Sequence, residues 1–463
     1  MNNNLLLTTD SYKASHWLQY PKDVEFVNSY VESRGGKWDE ALFFGLQIFI
    51  KKYLTKPITI QDIDEAEMFW SQHGEPFNRD GWMYILNECG GYMPVNIQAV
   101  PEGSIIPNSN VLVQIINTDP NVPWITSFLE TALLRAVWYP TTVATNSLAS
   151  KRVIYDYLVK SADDPDAEIG FKMHDFGARG VSSAESAAIG GCAHLVNFMG
   201  TDTVEGVVAA KQYYSDPMAG FSIPASEHST MTCWGGANGE IVAFRNMIQQ
   251  FGGPGKMFAV VSDSYDFFNA ATEYWGGELL QEVIDSGSTV VIRPDSGDPV
   301  TTPVKGIELL MEKVGYTTNE KGYKVLPDYF RVIQGDGINV DTVEKILKLM
   351  DEKKLSGSNI AFGQGGGLLQ EVNRDTLKFA MKCSAVKHAN GTWTDVYKDP
   401  VTDTGKRSKR GRLALIINEA GEYETVREGS VPVKANLLNN VFLDGKLLMS
   451  YNMSEVRENA KLG

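Results

Sequence analysis

Histidine and cysteine are scarce in this chain. Its 463 residues include six histidines and four cysteines. The cysteines (Cys89, Cys192, Cys233 and Cys383) are scattered and form no C-x-x-C pair. Their spacing argues against a disulfide scaffold or a zinc module and fits a reduced, cytoplasmic protein. No apolar run reaches the ~18 residues that a membrane-spanning helix needs. The first residues, "MNNNLLLTTDSYK", carry neither a basic stretch nor a long apolar one, so no secretory signal is read. Basic charge is also in deficit, with 42 Lys and Arg against 57 Asp and Glu for a net charge of −15. That balance argues against a general nucleic-acid or membrane-surface binder. An anionic ligand would need basic residues gathered at its site against the average field.

What is present is a rhythm. Before residue ~160 the pattern is mixed, with short strand-like runs in "PVNIQAVPEGSIIPNSNVLVQIINTD" broken by Pro, Gly and Asn. Two helical stretches follow, 124–138 and 142–160, with a break expected at Pro140. "SADDPDAE" reads as an acidic loop or linker. Short apolar runs then end repeatedly in polar, Gly-rich clusters near residues 174, 202, 228, 263, 295, 336 and 365. The intervals of about 25 to 41 residues suit βα units. "VDTVEKILKLMDEKKL" shows the intervening helix, with Val340, Val343, Ile346, Leu347 and Met350 on one face. Seven strands with polar clusters at their C-terminal ends predict a (β/α) barrel. A doubly wound open sheet is the alternative, since it also binds ligands at strand ends. After ~375 the pattern returns to strands and turns, with "NEAGE" as a hairpin loop. The expected organisation is a discontinuous mixed or β-rich domain (1–160 and 376–463) around a barrel-like catalytic domain (161–375).

The strand ends carry the chemistry. "VVIRPDSGDP" delivers Arg293 and Asp295 two positions apart, on one side of a strand. Arg offers a planar fork for phosphate, and Asp can accept from sugar hydroxyls or hold hydrated Mg²⁺; a structural ion pair would look the same. "NIAFGQGGGLLQ" places Gly365 and Gly366 where backbone amides could form an anion nest, or simply a turn. "VIQGDG" places Asp336 between Gly335 and Gly337, suited to ribose hydroxyls or to a turn. "HDFGARG" offers Phe176 as a stacking surface and Arg179 as an anion contact. "KRSKRGR", residues 406–412, is either a solvated run or a phosphate grip. In "SEHST", Glu227 could hold one imidazole nitrogen of His228 and leave the other free as base or nucleophile. No G-x-S-x-G elbow and no H-E-x-x-H occurs, which argues against a hydrolase triad and against zinc. The residues point to a barrel enzyme acting on a phosphorylated small molecule, with His228 central.

Nine segments resemble, in order, the type II phosphoribosyltransferase family, and within it the nicotinamide phosphoribosyltransferases. They are "TDSYK", "HDFGARGVSS", "AHLVNFMGTDT", "SEHST", "VVSDSYD", "IRPDSGDP", "RVIQGDG", "NIAFGQGGGLLQ" and "YKDPVTDTGKRSKRGRL". The resemblance implies an irregular α/β barrel with a second, β-rich domain, in a homodimer that shares its active sites. It implies that nicotinamide and 5-phosphoribosyl 1-pyrophosphate give nicotinamide mononucleotide and pyrophosphate, a step of NAD salvage, with Mg²⁺ present. It also implies that ATP phosphorylates His228, with Glu227 orienting the ring. Phe176 and Tyr12 of a partner subunit would sandwich the pyridine, and Asp202 would accept from the carboxamide. Arg179 and Arg293 would bind ring-side and pyrophosphate groups, and Asp295 the ribose and, through water, Mg²⁺. Gly335, Asp336, Gly365 and Gly366 would cradle the ribose phosphate. Arg374, Lys382 and Lys406 would reach phosphates across the dimer, with Asp10 nearby. Ala178, Ala259 and Ala380 depart from the family pattern, where an aromatic, a Ser and a Ser are expected. A nicotinate phosphoribosyltransferase, or a non-catalytic binding protein of the same fold, are the alternatives.

Overall fold

Residues 4–402 and 407–461 are described by the structure, a computed structural model. Six strands run parallel, in the order Gly200–Thr201, Met173–Asp175, Ile360–Gln364, Phe330–Gln334, Thr289–Arg293 and Met257–Val261. The segment 221–225 joins the two edges of this sheet. Phe221 makes a single parallel bridge to Gly200, and Ala225 makes one to Ala259. The Thr201 amide donates to the Phe221 carbonyl (2.9 Å), and the Ala259 amide to the Pro224 carbonyl (2.9 Å). The ring therefore closes in chain order, which separates it from a doubly wound open sheet. It is irregular because Pro224 has no amide to donate, so the seventh station cannot lengthen into a ladder.

Helices cover the outside of the ring. Val340–Glu352 buries Val343, Ile346, Leu347 and Met350 as the periodicity predicts, and Asn339 and Thr342 close its N-terminus as a capping box. The strands they cover are buried on both faces, as parallel strands must be.

A second sheet is antiparallel and draws on both ends of the chain. Its order is Trp393–Asp395, Ala380–His388, Val24–Glu32, Val111–Asn117, Val95–Ala99, Asn439–Leu443 and Lys446–Leu447. Beside it, Leu413–Ile417 and Tyr423–Arg427 form the hairpin expected around "NEAGE". One core packs this sheet against the surrounding helices, with Tyr30, Val31, Ile97, Val113, Ile115 and Met381 fully buried in it.

Two local expectations are corrected. Pro140 does not break its helix: Glu130–Ser161 is continuous over 32 residues, roughly 48 Å at 1.5 Å per residue. Tertiary contacts offset the lost hydrogen bond there. A Cβ on Gly45 would lie 2.3 Å from the Pro140 ring, so the glycine admits the proline. Thr141 and Thr145, on the next turn, accept from the amides of Phe44 (3.2 Å) and Leu42 (3.0 Å). The first part of this helix packs with the antiparallel sheet through Leu133 and Val137, and the last part with the barrel through Ile154 and Leu158. "SADDPDAE" contains a short helix, Pro165–Ile169, because Asp164 caps the Ala167 amide (3.1 Å) and proline fits the first helical position.

Candidate active site

A cavity of about 1220 Å³ runs through the ring, and all the residues that line it fall between 167 and 366. It exists because alanines and glycines share the inward wall with the branched residues. Ala259, Val291, Ile333 and Ala361 face Ile223 and Phe176 in a thin cluster. Barrels of this kind are usually filled with branched residues. Gly363 is required by its neighbour: a Cβ there would stand 1.9 Å from Cε2 of Phe176. Phe176 follows the Met173–Asp175 strand and is held by its amide on the Gln364 carbonyl (2.9 Å). The Arg293 guanidinium lies 5.7 Å from the centre of its ring. Phe176 thus serves as a fixed floor of the cavity and not as core filling.

His228 begins the short helix His228–Thr232, directly after the seam that closes the ring. Its expected partner was Glu227; the structure gives it Asp263 instead, with Nε2 2.9 Å from Oδ1. Glu227 turns away because its carboxylate accepts from the Ser229 hydroxyl and its amide donates to Thr230 Oγ1 (3.2 Å). The Asp263 side chain is only 3% exposed and also accepts from the Asp295 amide at Oδ2 (3.0 Å). A carboxylate only accepts, so Nε2 carries the proton and the lone pair of neutral His228 is on Nδ1. That atom is 3.9 Å from Asp295 Oδ2, and Asp295 Oδ1 is 2.5 Å from Arg293 Nη2. His228, Asp263, Asp295 and Arg293 are one connected network at three adjacent stations of the ring. Asp263 was visible in "AVVSDSYD" as an acid just past a strand end, but nothing in that segment named its partner.

Asp202 stands at the end of the Gly200–Thr201 strand and accepts from the Ser222 hydroxyl (2.5 Å). His174 lines the same wall; burial lowers its pKa, opposed by the charge of Asp202. Arg179 is exposed and makes no hydrogen bond or ion pair to the other described residues. It lines the cavity together with Gly335, Asp336, Gly365 and Gly366. Ala178 and Ala259 lie on the wall, where their short side chains widen it. Behind the site, burial pushes the Asp175 carboxyl up to about 6, while the Gly177 amide it accepts from holds it down.

Several expected residues are not brought to the cavity. Tyr12 is 55% exposed on the helical turn Ser11–Leu18, and Asp10 accepts from the Thr131 hydroxyl (2.7 Å). Arg374 pairs with Asp375 (3.1 Å), and Lys382 donates to the Met381 carbonyl (2.7 Å). Ala380 pairs with Glu32 in the antiparallel sheet. Lys406 lies outside the described residues. In the rest of its basic run, Arg407 pairs with Asp399 (2.6 Å), Lys409 with Glu32 (2.5 Å) and Arg412 with Glu428 (2.6 Å), while Arg410 stacks on the Tyr397 ring.

Among the described residues, no group of three His, Cys, Asp or Glu side chains could hold a metal ion by itself. That fits Mg²⁺ in one way only. A hard cation that keeps several waters can be carried by substrate phosphates with a single protein carboxylate beside it; Asp295, which lines the cavity, would be that carboxylate. No helix among the described residues is long and apolar enough to cross a membrane.

The same features recur in known proteins. Residues 171–446 match the model of the nicotinate phosphoribosyltransferase (NAPRTase) family, and residues 4–97 match a nicotinamide phosphoribosyltransferase N-terminal domain. A nicotinamide phosphoribosyltransferase of Xanthomonas campestris pv. campestris is 52% identical over 99% of this chain and 98% of its own. One from Acinetobacter baylyi is 32% identical over 98% and 96%. In fold, the chain resembles a nicotinate-nucleotide pyrophosphorylase from Pyrococcus furiosus, with a TM-score of 0.62 at 17% identity over 99% of this chain and 94% of that one. Ring, cavity and relatives agree: the chain belongs to the nicotinate phosphoribosyltransferase family, among its nicotinamide phosphoribosyltransferases.

Proposed function

We propose that the chain transfers the 5-phosphoribosyl group of 5-phosphoribosyl 1-pyrophosphate to nicotinamide, giving nicotinamide mononucleotide and pyrophosphate for NAD salvage. The observation that carries this reading is the single cavity that joins an aromatic floor, an acceptor wall at Asp202 and the Arg293–Asp295 pair. The pyridine ring rests on Phe176 with its carboxamide toward Asp202. A carboxylate there accepts from the NH₂ group and repels nicotinate. The pyridine nitrogen attacks C1 of the ribose as the C1–O bond breaks, and the electron pair leaves with pyrophosphate. Arg293 and Arg179 hold the charge that develops on the leaving group. Mg²⁺, when bound beside Asp295, offsets further charge on the pyrophosphate oxygens. Gly335, Asp336, Gly365 and Gly366 surround the ribose phosphate.

His228 supplies the second activity. The γ-phosphoryl group of ATP passes to Nδ1, the ring nitrogen not hydrogen-bonded to Asp263, and ADP leaves. Water later hydrolyses the N–P bond, so one ATP is consumed per coupled turnover. Asp263 is the positioning residue for this step, in the place first expected of Glu227. Tyr12 is exposed and stands outside the cavity of its own chain. That exposure supports the homodimer reading, in which Tyr12 reaches the pyridine of a second copy, and the four free cysteines support a cytoplasmic setting.

The test is product formation with 5-phosphoribosyl 1-pyrophosphate and Mg²⁺, with nicotinamide and nicotinate in parallel, each with and without ATP. Nicotinamide mononucleotide formed preferentially and boosted by ATP is the expected result. Turnover of nicotinate instead would overturn the reading of Asp202.

A further inference from the structure

We infer that Ser222 is a positioning and specificity-determining residue, which turns the wall at Asp202 into a surface of hydrogen-bond acceptors only. The inference rests on the nicotinamide reading above and deepens it. It begins with the backbone. The seam segment is pinned on both sides of Ser222: the Phe221 amide donates to the Met199 carbonyl (2.7 Å), and the Ser226 amide to the Ala259 carbonyl (3.0 Å). Ser222 is thereby held beside the end of the Gly200–Thr201 strand, with its side chain in the cavity.

A serine hydroxyl has one proton to donate and lone pairs that accept. Facing a ligand alone, it would serve an amide or a carboxylate equally well. Here Oγ is 2.5 Å from Asp202 Oδ1, which can only accept, so the proton is committed there. The Ile223 carbonyl competes for it weakly, at 3.4 Å. The lone pairs of Ser222 then join the second oxygen of Asp202 as acceptors for a ligand NH₂. Neither Ser222 nor Asp202 then offers a donor to a ligand carboxylate. The Ser222 hydroxyl is also the one side-chain hydrogen-bond partner of the Asp202 carboxylate among the described residues, so it fixes the rotamer that aims Asp202 Oδ2. The His174 Nε2–H is occupied by the Phe171 carbonyl (3.1 Å), and Arg293 is engaged by Asp295.

The experiment is steady-state kinetics with nicotinamide and with nicotinate for the full chain and for Ser222→Ala, Ser222→Thr, Asp202→Asn and the double variant Ser222→Ala/Asp202→Asn. For Ser222→Ala we expect a KM for nicotinamide about tenfold higher, kcat within about threefold of the parent, and the amide-to-acid preference lower by about tenfold. The KM for 5-phosphoribosyl 1-pyrophosphate should not move. Ser222→Thr keeps a hydroxyl and should hold the preference within about threefold of the parent. In the Asp202→Asn background, Ser222→Ala should no longer change the amide-to-acid preference, because it is the Asp202 carboxylate that commits the hydroxyl proton. An unchanged preference in Ser222→Ala, a loss shared equally by donor and acceptor substrates, or full additivity in the double variant overturns the role of Ser222. If Asp202→Asn itself keeps the parental preference, the reading of the subsite falls, and the inference with it.

Discussion

The two sheets of this molecule use the same physics to opposite ends. The antiparallel sheet fills its face with Tyr30, Val31, Ile97, Val113, Ile115 and Met381 and leaves a closed core. The parallel ring places Ala259, Ala361, Gly335 and Gly363 at its inward positions and leaves a cavity of about 1220 Å³. Burial of large apolar groups stabilises a fold, and small inward residues give that stabilisation up to make room for a ligand. The ring recovers it on its outer face, where Phe258, Val260, Ile292, Val332 and Phe362 are buried under the helices. Substitutions in the ring interior should therefore change chemistry more than stability, and those in the antiparallel sheet the reverse.

The sharpest break in that comparison is His228→Ala. It should abolish ATP hydrolysis while ATP-independent transfer persists at a measurable rate, with the thermal midpoint unmoved because the ring is exposed. Parental ATP hydrolysis by this variant would rule out a phosphorylated His228. Gly363→Ala should follow. The new methyl overlaps the Phe176 ring, and a displaced floor costs about 100-fold in kcat/KM for nicotinamide. Parental kinetics would show that the ring has somewhere else to go. Ile97→Ala tests the other sheet: it should cost about 2–5 kcal/mol of stability. Folded Ile97→Ala protein should still keep its KM for nicotinamide, and a raised KM would mean that the two sheets are coupled.

The last prediction concerns pH, and its effect is small near neutrality. His194 is fully buried between Ser147 Oγ (3.0 Å) and the Gly200 carbonyl (3.2 Å), and burial lowers its pKa from 6.5 to about 3. Between those values the unfolded chain binds a proton that the folded chain does not. The neutral ring's contribution is thus present above pH 6.5 and lost as pH falls toward 3, by about 1.4 kcal/mol per pH unit. His194→Gln should flatten the acid limb of a stability–pH profile measured by denaturant titration. A profile unchanged by the substitution would remove His194 as its source.

Much of this could be read from the chain. The spacing of polar clusters marks all seven stations of the ring, and the motifs at their ends contain Arg293, Asp295, Asp202, Phe176, Gly335, Asp336, Gly365 and Gly366, all of which line the cavity. What failed did so for local reasons. Pro140 carries a real helix-breaking signal, but Gly45 and the threonines after it answer that signal from another segment. Glu227 is next to His228 in sequence, yet residues adjacent at a helix start point apart, and the true neighbour, Asp263, is 35 positions away. Ser222 gave no signal at all, because its meaning depends on a proton shared with a residue from another strand.

Sequence alone determined the strand rhythm, the reactive residue types and the family, because period, turn chemistry and motif are all local properties. Tertiary structure decided which acid holds His228, how the ring closes through 221–225, and which glycine makes space for Phe176. Each of those depends on a contact between segments far apart in the chain, and only closure of the ring brings such segments within hydrogen-bond or van der Waals reach.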